Sequence, residues 1–242
     1  MIEFAGVSKV FQSGAQTKLL RAYVRDLFGE KKERPFFALR NVSFSVEEGE
    51  CVGVIGRNGA GKSTLLGLVA GLAKPTSGRV SVEGQVAALL ELGSGFHPEL
   101  TGEENLRLNA SLLGLSRKRT AELFDAIVAF ADIGDFIREP LRTYSTGMMM
   151  RLAFSVAINV APDILIVDEV LAVGDAAFQA KCFERIHQFR SGGNTLLFVS
   201  HSALLVRQLC DRVIWLTHGE VTMDGKAGEV LDAYTAVAGT PA

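Results

Sequence analysis

Cysteine is scarce in this 242-residue chain: Cys51, Cys182 and Cys210 are an odd set, far apart and without metal-ligand spacing. Neither a disulfide framework nor a cysteine-rich zinc site is suggested, and the three read as small apolar fillers in a reducing cytoplasm. Neither sign of charge dominates, with 25 Lys and Arg against 27 Asp and Glu for a formal net charge of −2. That argues against a nucleic-acid partner held by bulk electrostatics. No uninterrupted apolar run approaches the ~20 residues of a membrane-crossing helix, although hydrophobic residues reach 48% and the mean hydropathy is +0.24. Buried strands account for that apolarity. Met1-Ile2-Glu3-Phe4 opens with no basic region ahead of a hydrophobic segment, so no signal peptide is expected. Any membrane association is then expected through a partner. No internal repeat and no low-complexity linker is present, and the length suits one large or lobed domain.

The most informative stretch is Gly56-Arg57-Asn58-Gly59-Ala60-Gly61-Lys62-Ser63-Thr64. It fits Gly-x-x-x-x-Gly-Lys-Ser/Thr and lies between a strand-like run, Cys51–Ile55, and a helix-like run, Thr64–Ala70, the context a phosphate-binding loop requires. Glycines let the backbone wrap close enough for several N–H groups to face one phosphate, and the following helix adds its positive end. Lys62 is expected to reach the β- and γ-phosphates, and the Ser63 hydroxyl to sit on Mg²⁺. The chain therefore reads as a nucleoside triphosphate binder.

Downstream residues add hydrolysis. Ile164-Leu165-Ile166-Val167 is a continuous apolar run, the pattern of a parallel strand buried on both faces. It ends in Asp168-Glu169, at the strand edge where α/β sheets place ligands. Asp168 reads as the Mg²⁺-side carboxylate and Glu169 as the group that polarises a water for in-line attack. A second buried strand, Thr195–Val199, delivers Ser200-His201 to the same edge, and His201 is expected to contact the γ-phosphate.

With these motifs in place the sequence resembles the ATP-binding-cassette (ABC) ATPases over about residues 2–232. Their signature loop, usually Leu-Ser-Gly-Gly-Gln, aligns with Tyr144-Ser145-Thr146-Gly147-Met148. Ser145 and Gly147 keep the pattern; Tyr144, Thr146 and Met148 depart from it. The resemblance implies that this loop closes over the γ-phosphate on the other subunit's phosphate loop, and that Asp175 belongs to the D-loop. Phe11 fits the adenine-stacking aromatic, with a core position as the open alternative. Most relatives carry a Gln that senses Mg²⁺ and contacts the membrane subunit. The nearest polar residue here is Glu91, which reads either as its substitute at the metal or as a solvated strand-end acid. The departures, together with Leu89–Asn105, look like the ATPases that export bacterial O-antigen, capsule and teichoic acid.

The fold implied is α/β: a P-loop NTPase with a RecA-like parallel-sheet core, an N-terminal antiparallel β-subdomain and an inserted helical subdomain over about residues 101–161, all within one ABC ATPase domain spanning 1–242. No C-terminal carbohydrate-binding domain is expected within it. The implied function is ATP hydrolysis, with ATP and Mg²⁺, by a homodimer seated on a homodimeric membrane permease at the cytoplasmic face of the inner membrane, exporting a polysaccharide or lipid-linked glycan. A drug or lipid exporter and an ABC ATPase outside transport are the alternatives. Locally, Thr76–Val86 has the turn residues and alternation of a hairpin, Arg119–Ala131 reads as helix, and His218-Gly219 and Asp224-Gly225 mark turns of a terminal hairpin. A helical stripe over residues 17–29 reads as a cover for its own sheet, or else as an interfacial helix.

Overall fold

The computed structural model describes residues 1–12, 35–89, 93, 95–168, 174–200 and 202–238. The stripe over 17–29 lies outside the described residues. Strands β1 (Ile2–Gln12), β2 (Pro35–Val46) and β4 (Ser77–Val82) form an antiparallel sheet in the order β2-β1-β4. Alternation on β2 turns Val42, Phe44 and Val46 inward, and Phe44 stacks on Phe4, its register partner, with ring centroids 4.5 Å apart. The second sheet holds β3 (Cys51–Ile55), β5 (Val86–Ala88), β6 (Ile164–Val167), β7 (Thr195–Val199), β8 (Arg212–Thr217) and β9 (Glu220–Lys226) in the order β5-β6-β7-β3-β8-β9. Its pairings are parallel except β8 with β9. This is the expected α/β class with an antiparallel N-terminal sheet.

The central strands are buried along their whole length because layers cover both faces. Val52, Val54, Ile166, Leu197 and Val199 pack toward the antiparallel sheet and helix α1 (Lys62–Val69). The alternate residues Cys51, Ile55, Leu165, Val167, Leu196 and Phe198 pack the other way, against α5 (Ala176–Ser191), α6 (Ala203–Leu209) and α7 (Ala227–Ala238). A third cluster lies among α2 (Gly102–Leu112), α3 (Arg117–Ala131) and α4 (Thr146–Asn159), where Leu106, Ile127, Leu152 and Val156 meet. Their starts follow local rules: Thr101 and Glu104 make a reciprocal capping box on α2, and Ser116 caps α3.

Two local expectations are corrected. Thr76–Val86 is not a hairpin: β4 pairs with β1, whereas β5 pairs in parallel with β6 in the other sheet. Gly84, at φ +112°, redirects the chain between them, and Asp163 accepts a hydrogen bond from the Gln85 N–H at 2.7 Å. Alternation signals a strand and says nothing of its partner. Asp224-Gly225 is likewise no turn but the interior of β9, where Asp224 takes both the Nε and Nη2 donors of Arg212 at 2.6 and 2.7 Å. The cysteines, distant in sequence, are all buried, and two of them meet: the sulfurs of Cys51 and Cys210 are 3.6 Å apart. Burial pushes the Cys182 thiol up to about 12. The hydrogen bond with Cys51, then burial, raises that of Cys210, so both stay protonated.

Asn105 is fully buried on α2 and ties the preceding loop to it. Its amide donates to the carbonyls of His97, Leu100 and Thr101 at 3.0, 3.0 and 2.9 Å and its oxygen accepts from the His97 N–H at 2.7 Å. Asn105→Ala strands these groups and should destabilise the chain by about 1–3 kcal/mol in urea unfolding; an unchanged midpoint would remove Asn105 from this role.

Candidate functional site

The parallel strands bring distant residues to one edge. Val54 pairs with Val199, and Val167 with Phe198. The residues just beyond the strand ends, Gly56, Asp168 and Ser200, therefore emerge together, with β7 lying between β3 and β6. Asp168 is half-buried and Ser200 buried. Glu91, Glu169 and His201 lie outside the described residues.

The Gly56–Thr64 loop passes from the middle of the sheet into α1. Gly56, Gly59 and Gly61 have φ of +151°, +79° and +107°, conformations that side chains rarely adopt. A Cβ at Gly56 would overlap the Leu216 carbonyl oxygen, and one at Gly61 the Ala38 carbonyl oxygen. The loop is thus pressed between β2 and the end of β8. The β8–β9 turn completes the brace, with the Gly219 N–H donating to Ala60 O at 3.0 Å and the Arg40 N–H to Gly219 O at 2.8 Å. Gly61 starts α1 without a side-chain cap, so the first-turn N–H groups remain donors for whatever lies in the loop. Lys62, only 8% exposed, places Nζ inside the same loop, 2.7 Å from Gly56 O and 3.2 Å from Arg57 O. An ammonium, the first-turn N–H donors and the positive end of a helix converge there, a setting for a phosphate chain. Arg57, Asn58 and Ser63 are exposed, Ala60 is buried and Thr64 half-buried.

Ser145 begins α4, its hydroxyl accepting from the Met148 N–H at 3.1 Å, and stays exposed; Gly147 follows in the first turn. Tyr144 has a physical reason to depart from leucine. Its hydroxyl donates to the Phe136 carbonyl and its ring meets Phe136 edge-on at 6.2 Å, anchoring the loop to the neighbouring 3₁₀ turn. Burial, then the charge of Glu139, raises this phenol to about 12. Asp175 begins α5. The Phe178 N–H holds its carboxyl below the usual carboxylate range, with burial opposing and Arg151 assisting. Phe11 is 47% exposed at the end of β1, opposite Phe36, with the Lys9 ammonium 5.1 Å from its ring centre. Phe36 stands two residues before Ala38 on β2.

Sequence reading missed Ala38, Leu216 and Gly219 as braces and Arg151 as the partner of Asp175. None belongs to a local motif; only the β8–β9 turn residues carried a signal, and that was for the turn.

Comparison with known proteins places the chain in a wider set. The ABC transporter family model matches residues 39–172. The chain is 51% identical over 238 residues to the O-antigen export system ATP-binding protein RfbB of Klebsiella pneumoniae, with 97% of each chain covered. It is 44% identical over 213 residues to the teichoic acids export ATP-binding protein TagH of Listeria monocytogenes serotype 4b (strain F2365), covering 87% of this chain and 63% of that one. Among solved structures, a dimeric post-hydrolysis state of an ATP-binding cassette bound to ADP and Pi is similar with a TM-score of 0.75 at 23% identity, over 94% of this chain and 99% of the other. At that identity the likeness speaks to the fold.

The brace yields a graded prediction. Gly59→Ala meets nothing within 4 Å and should cost only the left-handed backbone, about 1–2 kcal/mol. Gly61→Ala adds the collision with Ala38 and should lower the denaturation midpoint further; equal midpoints would contradict the close approach.

Proposed function

This chain belongs to the ABC transporter family, and from that premise we propose that it is the ATP-hydrolysing subunit of an exporter of a surface polysaccharide or lipid-linked glycan. The observation that carries the substrate class is the 51% identity to an O-antigen export ATP-binding protein along 97% of both chains. ATP binding itself goes with the ABC ATPase domain. The residues present fit a triphosphate: the loop is shaped so that side chains are excluded at Gly56 and Gly61, and Lys62 and the α1 N–H groups supply the positive counterpart.

In this reading the P-loop residues Gly56 to Thr64 hold the phosphates and Phe11 stacks on adenine. Ser63 and Asp168 offer the hard oxygen ligands that suit Mg²⁺, which neutralises charge on the β- and γ-oxygens when bound. Glu169 orients and polarises the attacking water, and His201 contacts the γ-phosphate. Ser145, Gly147 and Asp175 face the nucleotide of a second copy, so the working unit is a homodimer, and residues 101–161 act as the helical subdomain that carries the signature loop. Among the described residues no helix is long and apolar enough to cross a membrane. The proposed seat at the cytoplasmic face of the inner membrane is through a separate permease.

Glu169→Gln should retain ATP binding and lose turnover by about 10²–10⁴, read by phosphate release alongside a nucleotide-binding titration. Near-normal release would remove Glu169 from the role. In cells lacking this chain, the surface glycan should disappear and its lipid-linked form accumulate inside, with recovery on wild type but not on Glu169→Gln. An unchanged glycan would overturn the substrate class and leave the ATPase reading standing.

A further inference from the structure

A groove of about 500 Å³ opens between α3, the end of α4 and the middle of α5, and it shares no lining residue with the nucleotide site. Small-molecule sites span roughly 300–1,000 Å³. One wall is apolar: Ala126, Ala129 and Phe130 lie three and four residues apart on α3. Phe130 is held in place by Phe178, edge-on at 5.7 Å, and by Phe154, stacked at 6.1 Å. The other wall is polar. Lys181, Glu184, Arg185 and Gln188 follow a helical stripe along α5, and Asn159 closes the groove at the last residue of α4.

Arg185 sets the chemistry of this groove. Among the described residues four arginines are half-buried, and three of them meet carboxylates. Arg151 reaches Asp175 at 2.7 Å, Arg190 reaches Asp211 at 2.7 Å, and Arg212 reaches Glu50 and Asp224 at 3.1 and 2.6 Å. Arg185 has no carboxylate partner among the described residues. Its terminal nitrogens donate to neutral amide oxygens, Gln188 at 3.2 Å and Asn159 at 3.3 Å. Both amides are fixed from behind: Asn159 Nδ2 donates to the Ser155 carbonyl at 2.8 Å, and Gln188 Nε2 to Glu184 Oε1 at 3.4 Å. The guanidinium is thus oriented without being neutralised.

A partly desolvated charge is costly until an opposite charge reaches it, and the planar donors of a guanidinium match an oxyanion. Lys181, one turn earlier on α5, adds a second cation. Its ion pair with Asp132, at 3.9 Å and open to solvent, holds it loosely. Glu184, the groove's one carboxylate, is bonded to Gln188 and not to Arg185. We propose that this groove is a binding site for a small organic oxyanion. A carboxylate or phosphate monoester sits on Arg185 with Lys181 beside it, and its apolar body lies on Ala126, Ala129 and Phe130. The site is separate from the P-loop and does not depend on the substrate class of the exporter.

The test is an NMR titration of the full chain with benzoate, phenyl phosphate, inorganic phosphate and benzylamine, followed at the backbone amides of residues 126–130 and 181–188. Amides of Gly56 to Thr64 report separately on any anion taken by the P-loop. Benzoate or phenyl phosphate should give saturable shifts at the groove with a Kd below about 5 mM, and the tighter of the two tells a carboxylate from a phosphate ester. Inorganic phosphate lacks the apolar body and should bind at least about threefold more weakly than phenyl phosphate. Benzylamine, a cation of similar shape, should not bind. Gln188→Glu supplies Arg185 with the carboxylate it lacks and should weaken the better anion about tenfold or more, as should Arg185→Gln. Should Arg185→Gln fail to fold, Gln188→Glu, which keeps the guanidinium, decides alone. A weaker or unsaturable response at the groove would overturn the proposal, as would binding of benzylamine or an unchanged affinity in Gln188→Glu. Equal binding of the two phosphates would overturn the role of the apolar wall.

Discussion

One helix start left without a side-chain cap governs the site. The starts of α2, α3, α4 and α5 are closed by Thr101, Ser116, Ser145 and Asp175, whereas α1 begins at Gly61 with none. The Lys62 ammonium is turned back into the loop that precedes this helix. Such a loop is unfavourable by itself, since it combines backbone conformations that strain side chains with uncapped donors. The surroundings hold it: Ala38 and Leu216 leave no room for side chains at Gly61 and Gly56, and the Gly219 N–H ties down Ala60.

That brace explains why two sheets are needed. The antiparallel sheet supplies the β2 backbone that presses on Gly61, and the parallel sheet supplies the strand from which the loop springs. Their shared apolar layer fixes the distance between them, with Phe4, Val42, Val54, Leu65 and Leu197 in one cluster. The parallel register then sets Asp168 and Ser200 beside the loop although the three segments lie far apart in the sequence. Two further helix starts, at Ser145 in the helical region and at Asp175 beside the parallel sheet, are joined through Arg151. Site geometry thus follows from packing at both lobes.

Much of this was legible in the residues alone, and the rest was hidden for identifiable reasons. Cys51–Ile55, Ile164–Val167 and Thr195–Val199 announce themselves because strands covered on both faces are apolar throughout, and the P-loop because its glycines are spaced by its chemistry. Partner choice was not legible. Ser77–Val82 and Val86–Ala88 alternate like a hairpin, yet Gly84 and Asp163 send them to different sheets. The Arg151 fork, the Ala38 contact and the Cys51–Cys210 approach depend on residues that belong to no shared local motif. Tyr144 read only as a departure from a motif until its hydroxyl met the Phe136 carbonyl.

The central claim is that the braced loop, with Lys62 inside it, is what holds the triphosphate. Calorimetric titration of ATP into the wild-type chain and into Lys62→Ala, without Mg²⁺ and at matched folding, tests it most directly. A weakening of about tenfold or more is predicted, from the loss of a charge-assisted contact to phosphate worth about 1.5–3 kcal/mol. Equal affinity in the two proteins would contradict it.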